Sequence, residues 1–304
     1  MTVTMPAFFF LSGYLLIHNL SSVTAGKKTL RRFKRLFLPY LCWNVCFVMF
    51  LEALSFANDS FLGNFFGNWH FNSWKQVCSM VVGLVVAPAD TPLWFLRALF
   101  FYSLLGIPLF LIVNRVRWGW VILFITALLW AVVSEVLGIE TVVAYAYPSY
   151  SMFAFLLGAW FMHTGIQPFA FFDRVPFWIC GLVGIVGMAL YTMQFKDFVW
   201  LKNISFLFEL PVMFCVVNQF HDFFNGRKWF DIVNETSFFM YCGHWLFCPL
   251  SIALFYPLMV DVPGCLSLSI LAFIWLGIPV IIIVRKMVMR FLPRTISLLM
   301  DGRL

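Results

Sequence analysis

The chain has 304 residues and a formal net charge of +7; 63% of the residues are hydrophobic and 11% are charged, and the mean hydropathy is +0.93. A soluble domain carries about 25% charged residues, so this composition excludes a water-soluble globule. Long apolar runs, without the short alternating segments of a β-barrel, predict an all-α polytopic membrane bundle. We treat residues 1–304 as a single integral membrane domain.

Nine apolar segments have about the length that a bilayer requires, near 20 residues. A shorter apolar segment, 74–88, is predicted to form an interfacial or re-entrant helix. The nine predicted spans are 4–20, 36–57, 93–113, 118–138, 149–163, 175–194, 202–220, 236–257 and 266–284.

Lysine and arginine are concentrated in the loops that one orientation places in the cytoplasm. With loop 21–35 inside, sixteen of the twenty Lys and Arg residues fall on that side. The positive-inside rule then predicts an outside amino terminus and an inside carboxyl terminus. Because topology and contact with membrane lipids explain these cations, we expect no nucleic-acid partner.

The first apolar segment contains "MPAFFFLSGYLL" at 5–16. Pro6 suits the start of a helix. Ser12 and Gly13 are small, so they predict close contact with another helix.

A cationic cluster follows, with six cations in residues 27–35. Arg32 and Arg35 are three residues apart, so a helix places them on one face. A guanidinium fork suits a phosphate oxyanion. The phosphate would come from an anionic lipid or from a phosphorylated cytoplasmic cosubstrate, and the residues alone favour the lipid.

Two further residues are candidates because ionisable side chains inside a membrane are costly. Arg97, in "TPLWFLRALFFY", lies about one turn inside its predicted span. It is either functional or extends to the outer interface. His244, in "NETSFFMYCGHWLF", lies near the middle of a span and is either a hydrogen-bonded core residue or a catalytic one.

Several site classes are absent from the sequence. The eight cysteines form no CxxC pair, and no His or Cys completes a metal set around Cys42 and Cys46. We expect no metal, and we expect the cysteines in apolar runs to be small core residues. No Walker loop is present. The short cytoplasmic loops leave no soluble domain, which excludes an ATP-driven pump within this chain. Pro211, Pro249 and Pro279 could break helices, as a transporter or flippase requires.

Taken in order, "MPAFFFLSGYLL", "RRFKRLFLPYLCW", "TPLWFLRALFFY" and "TSFFMYCGHWLF" resemble the membrane acyltransferase-3 family. That family has ten helices and O-acylates sugars of cell-surface polysaccharides and related glycosides. The resemblance implies that Arg32 and Arg35 bind the phosphates of cytoplasmic acyl-CoA, such as acetyl-CoA. Arg31, Lys28 and Lys34 would add positive field.

The resemblance also implies a reaction: an acetyl or other short acyl group moves from acyl-CoA to a hydroxyl of a sugar or polysaccharide precursor, in the bacterial cytoplasmic membrane. His244 is the candidate proton acceptor and Arg97 the candidate oxyanion stabiliser. In the family, a preceding helix carries an Arg and the main catalytic His; this sequence begins at what would be the second helix. The alternatives are a transporter or flippase for a saccharide or lipid-linked substrate, and an inactive remnant of the family.

Overall fold

In a computed structural model, the structure describes residues 5–18, 20–57, 73–83, 90–136, 149–192, 199–259 and 277–291. Every regular element in these ranges is helical, and they contain no strand. This confirms the predicted all-helical class. The long apolar runs form helices because a helix satisfies its own backbone hydrogen bonds.

Twelve α-helices occupy the described ranges. Two short elements join them, a π-helical turn at Phe33–Phe37 and a 3-10 turn at Thr91–Leu93. The helices are α1 (Met5–Ile17), α2 (Ser22–Arg32), α3 (Leu38–Ala57), α4 (Trp74–Val82), α5 (Trp94–Val113), α6 (Gly119–Val136), α7 (Ser149–His163), α8 (Pro168–Asp173), α9 (Phe177–Thr192), α10 (Val199–Phe224), α11 (Lys228–Met259) and α12 (Ile278–Phe291).

The predicted spans coincide with helices wherever they are described, while residues 266–276 of the last span lie outside the described residues. Two helical stretches, Ser22–Ala53 and Trp94–Val113, are long and apolar enough to cross a membrane. Four shorter apolar helical stretches have 10–17 residues. The number of spans and their orientation stay predictions.

The chain forms two compact units. The first contains Met1–Arg31 and Ala98–Asn225, and the second contains Arg32–Arg97 and Gly226–Leu304. Residues distant in sequence therefore meet within each unit. Helix α5 begins in the second unit and ends in the first.

In the first unit, α1 crosses α7 at a pair of glycines. A Cβ added to Gly13 would overlap the carbonyl oxygen of Phe155, and one added to Gly158 would overlap that of Phe10. The two backbones are therefore in direct contact, which only glycine permits. This confirms the close helix contact predicted at Gly13.

Aromatic rings fill the space beside that crossing. Phe10 contacts Phe161 and Phe214 edge to face, with ring centroids 5.1 and 5.4 Å apart. Cys180 of α9 and Cys215 of α10 form a disulfide. The expectation that cysteines in apolar runs are only small core residues is therefore wrong for this pair, because α9 and α10 pack side by side and bring the two sulfurs together.

The second unit is built from α3, α4, α11 and α12. Helix α4 packs on α3 through a core of Phe47, Val48, Leu51 and Met80. Helix α11 contacts α3 through the rings of Trp43 and Phe239, whose centroids are 5.3 Å apart. These contacts bring the first half of α3 and the middle of α11 to the residues that precede α5.

Candidate functional site

The two described ends of the connection between α4 and α5 contact the first turns of α3. The side chain of Ser73 caps the start of α4 by accepting from the backbone N–H of Gln76. Gly83, in the left-handed conformation, ends the helix. The hydroxyl of Tyr40 donates to the carbonyl of Val82 at 2.9 Å. Helix α4 therefore returns toward the beginning of α3, as a re-entrant helix would; residues 84–88 of the predicted re-entrant segment lie outside the described residues.

Asn44 of α3 holds the other end of this segment. Its side-chain oxygen accepts from the backbone N–H of Asp90 at 3.0 Å, and its side-chain amide donates to the carbonyl of Tyr40 at 2.9 Å. Asn44 is completely buried. Since the carbonyl of Asp90 accepts from Leu93 in the following 3-10 turn, the main chain of Asp90 is held on both sides.

The Asp90 side chain is only 1% exposed. Among the described residues, neither of its carboxylate oxygens has a hydrogen-bond partner. Asp90 lies in the connection before α5. Burial without a partner disfavours the charged form of its carboxyl and raises the pKa to about 8. Asp90 is thus a buried carboxyl with both oxygens available.

Arg97 lies one turn into α5. Its side chain is 1% exposed, so the guanidinium is enclosed by protein and does not extend to the surface. Within the described part of the chain, its Nε and Nη1 groups have no hydrogen-bond partner. A buried cation with unsatisfied N–H groups is costly, so the position is suited to an anion or to a developing negative charge.

Tyr241, one turn before His244 on α11, contacts the residues at the start of α5. The hydroxyl of Tyr241 donates to the carbonyl of Pro92, and its ring contacts that of Phe95 at a centroid distance of 5.8 Å. Tyr241 also interacts electrostatically with Asp90. The contact of Tyr241 with Phe95 thus joins the two elements that carry His244 and Arg97.

The half-buried His244 has a defined tautomer. Its Nδ1 lies 2.5 Å from the carbonyl oxygen of Tyr241. A carbonyl oxygen can only accept, so Nδ1 carries the proton and Nε2 carries the lone pair. His244 is therefore hydrogen-bonded, as the interpretation of it as a core residue predicted. Its Nε2 atom can still accept a proton.

The cationic cluster lies where α2 meets the π-helical turn. Leu38 donates its amide to the carbonyl of Phe33, five residues back, and Pro39 has no N–H for the carbonyl of Arg35. Arg32 and Arg35 are half-buried at this widened turn, and Arg31 is exposed. The ammonium of Lys28 donates to the carbonyls of Leu16 and His18, at the end of α1.

Four of the six predicted site residues belong to the same compact unit. Arg97 and His244 belong to the second unit with Arg32 and Arg35, whereas Lys28 and Arg31 belong to the first. The roles of all six in catalysis or cosubstrate binding stay predictions.

Asp90 and Asn44 were missed from the sequence. Asp90 directly precedes "TPLWFLR" and Asn44 interrupts the apolar run "LCWNVCF". Treating every polar residue in or beside a predicted span as functional would have found them.

Residues 1–284 match the acyltransferase-3 family, described as an acyltransferase domain. No curated protein and no solved structure matches the chain.

Proposed function

The chain belongs to the acyltransferase-3 family, and on that premise we propose that it is a membrane O-acyltransferase. It moves an acetyl or other short acyl group from acyl-CoA to a hydroxyl of a cell-surface sugar or polysaccharide precursor, in a bacterial cytoplasmic membrane. The observation that supports this most directly is Arg97, a buried guanidinium whose Nε and Nη1 groups have no hydrogen-bond partner among the described residues.

Acyl transfer from a thioester to a hydroxyl develops negative charge on the carbonyl oxygen. Donors placed in advance around that oxygen lower the barrier, and they act most strongly where water is excluded. The Nε and Nη1 groups of Arg97 are such donors, because the fold leaves them without acceptors among the described residues.

The donor substrate carries phosphates, which the cationic cluster suits. Arg32 and Arg35 would form bidentate bonds to phosphate oxygens. Arg32 directly precedes the π-helical turn and Arg35 lies within it. The exposed Arg31 adds positive potential. Lys28 adds to that potential while its ammonium caps the end of α1.

The reaction also needs a group that accepts the hydroxyl proton. Among the described residues, the Asp90 carboxyl has no hydrogen-bond partner, and Nε2 is the nitrogen of His244 that is not bonded to the carbonyl of Tyr241. The described His, Cys, Asp and Glu residues form no group of three or more that could hold a metal ion. The proposed chemistry needs no metal.

The transporter alternative has little support from the structure. Helix α10 continues through Pro211, and α11 continues through Pro249, without interruption. Pro279 is the second residue of α12. The described helices thus lack the breaks that a site at the middle of the membrane would use.

The test is an Arg97→Gln variant of the full chain in lipid nanodiscs. Release of coenzyme A from acetyl-CoA is followed with octyl β-glucoside as the sugar acceptor. We expect kcat to fall by roughly 10²–10³-fold with an unchanged KM for acetyl-CoA. Arg290→Gln, which removes an exposed arginine of α12, is the control. If Arg97→Gln releases coenzyme A as fast as Arg290→Gln does, the proposal is contradicted.

A further inference from the structure

We propose that Lys28 is a positioning residue, whose ammonium fixes α2 against the end of α1 and so sets the orientation of the arginines in the cationic cluster. This inference rests on the proposed binding of acyl-CoA phosphates at Arg32 and Arg35. It assigns Lys28 a part in donor binding that requires no contact with the donor, whereas the sequence assigns it only positive field.

The first argument is the cap at the end of α1. The last carbonyl groups of a helix have no partners within it, and a cation close to them is stabilised by the helix dipole. The half-buried Lys28 donates from its ammonium to the carbonyl of Leu16 at 2.8 Å and to that of His18. The carbonyl between them, that of Ile17, accepts from the amide of Leu20 at 2.8 Å. Lys28 thus supplies a large part of the cap of α1 from a different helix.

The second argument is the start of α2. The side chain of Ser21 accepts from the backbone N–H of Thr24 at 3.3 Å, and the side chain of Thr24 accepts from that of Ser21 at 2.9 Å. This reciprocal cap fixes one point of α2 beside the end of α1. Lys28 fixes a second point seven residues further along, or about 10 Å along the helix axis. Two fixed points give α2 a defined direction, and one alone would not.

The third argument is that α2 has little packing. None of the residues of α2 is buried. Its larger apolar side chains, Val23 and Leu30, are 83% and 55% exposed. Most helices in proteins are positioned by the packing of an apolar face. Since α2 buries no such face, we expect its direction to depend strongly on the hydrogen bonds of Lys28.

The fourth argument is the position of the arginines on the helix. Arg31 and Arg32 follow Lys28 by three and four residues, so all three lie on one face of α2. Arg32 directly precedes the π-helical turn that contains Arg35. Anchoring Lys28 to α1 therefore fixes the direction of the face that carries the arginines. The exposed Lys27 lies about 100° around the helix from Lys28 and has the same charge.

The experiment compares Lys28→Met, Lys28→Arg and Lys27→Met in the full chain in lipid nanodiscs. Thiol release from acetyl-CoA with octyl β-glucoside gives kcat and KM, and equilibrium binding gives Kd for acetyl-CoA. Both Met variants remove one charge from the cluster, so Lys27→Met is the matched control. Lys28→Met should raise KM about three- to tenfold more than Lys27→Met does, with kcat changed by less than about twofold. Lys28→Arg, which keeps the charge and has donors for both carbonyls, should restore most of the affinity.

A second measurement needs neither donor nor acceptor. Hydrogen exchange of the backbone amides in 20–32, followed by mass spectrometry, should be faster in Lys28→Met than in wild type. Lys27→Met and Lys28→Arg should exchange as wild type does. Exchange in α7 and α10 should be unchanged in all variants, which shows that Lys28→Met still folds.

Each other outcome overturns a stated part. Equal KM and Kd values for Lys28→Met and Lys27→Met would leave Lys28 as a source of charge alone, and the proposal would be rejected. Unchanged exchange in 20–32 would reject it as well. If wild-type protein neither binds acetyl-CoA nor releases thiol, the acyltransferase function fails, and the part in donor binding fails with it. The exchange rates then still decide whether Lys28 holds α2.

Discussion

At the scale of single residues, the site depends on groups whose hydrogen-bonding capacity the fold leaves unused. Arg97 and Asp90 are each 1% exposed, and each has polar atoms without a partner among the described residues. Protein interiors rarely contain such groups unless they are functional. The type of residue made Arg97 and His244 candidates from the sequence. The burial of Asp90 depends on Asn44 and Tyr241, which are distant from it in sequence.

The raised pKa of Asp90 predicts how stability depends on pH. The carboxyl changes from an ordinary value of 3.8 to about 8 on folding, so the folded state binds the proton more tightly. This stabilising contribution is complete below pH 3.8 and is lost as the pH rises through about 8. We expect the melting temperature of wild-type protein to fall, relative to Asp90→Asn, between pH 6 and pH 9.

The melting temperature is measured in nanodiscs by intrinsic tryptophan fluorescence. Asp222→Asn, which changes an exposed carboxylate, should follow the wild-type curve. Parallel curves for wild type and Asp90→Asn would show that Asp90 titrates as an exposed carboxyl does.

At the scale of elements, two local features depart from regular helix packing and geometry. One is the glycine crossing of α1 and α7, where backbone meets backbone. The other is the π-helical turn before α3, which lies within the cationic cluster. The first was predicted from Gly13. The second was not, because π-helical geometry depends on an irregular hydrogen bond that the periodicity of side chains does not reveal.

The glycine crossing predicts that a single methyl group destabilises the first unit. Gly13→Ala places a Cβ on the carbonyl oxygen of Phe155, so α1 and α7 must separate. Overpacking costs about 1–3 kcal/mol, and a backbone neighbour has less freedom to adjust than a side chain. We expect a lower melting temperature and less folded protein by size-exclusion chromatography. Gly181→Ala, with no atom within 4 Å of the added Cβ, is the control; equal behaviour of the two variants would refute the backbone contact.

The cationic cluster predicts a defect in donor binding. Arg32→Ala combined with Arg35→Ala removes two guanidinium groups that we expect to bind the phosphates of acetyl-CoA. A hydrogen bond to a charged group contributes about 1.5–3 kcal/mol, so KM for acetyl-CoA should rise by at least about tenfold. The measurement is KM for acetyl-CoA in nanodiscs.

The matched control is Arg115→Ala combined with Arg117→Ala, which removes two exposed cations from another loop. If the Arg32 and Arg35 variant only lowers expression, with KM unchanged, the cluster serves membrane topology alone.

At the scale of the whole molecule, the family match covers residues 1–284 and so includes parts of both compact units. Within the second unit, the candidate site combines residues near 44, 90 and 241. No short segment of the chain contains it. This arrangement is typical of helical membrane proteins, where polar residues from several helices meet around one site.

The sequence by itself determined the helical membrane class and the family, because both depend on composition, run length and the order of local motifs. It also indicated Arg97, His244, Arg32 and Arg35, because ionisable groups are rare in such a chain. Only the tertiary structure decided that Arg97 is enclosed, that Nδ1 of His244 is protonated, and that Asp90 is buried against Asn44. Burial and hydrogen bonding depend on contacts between distant helices, and local patterns do not specify those contacts.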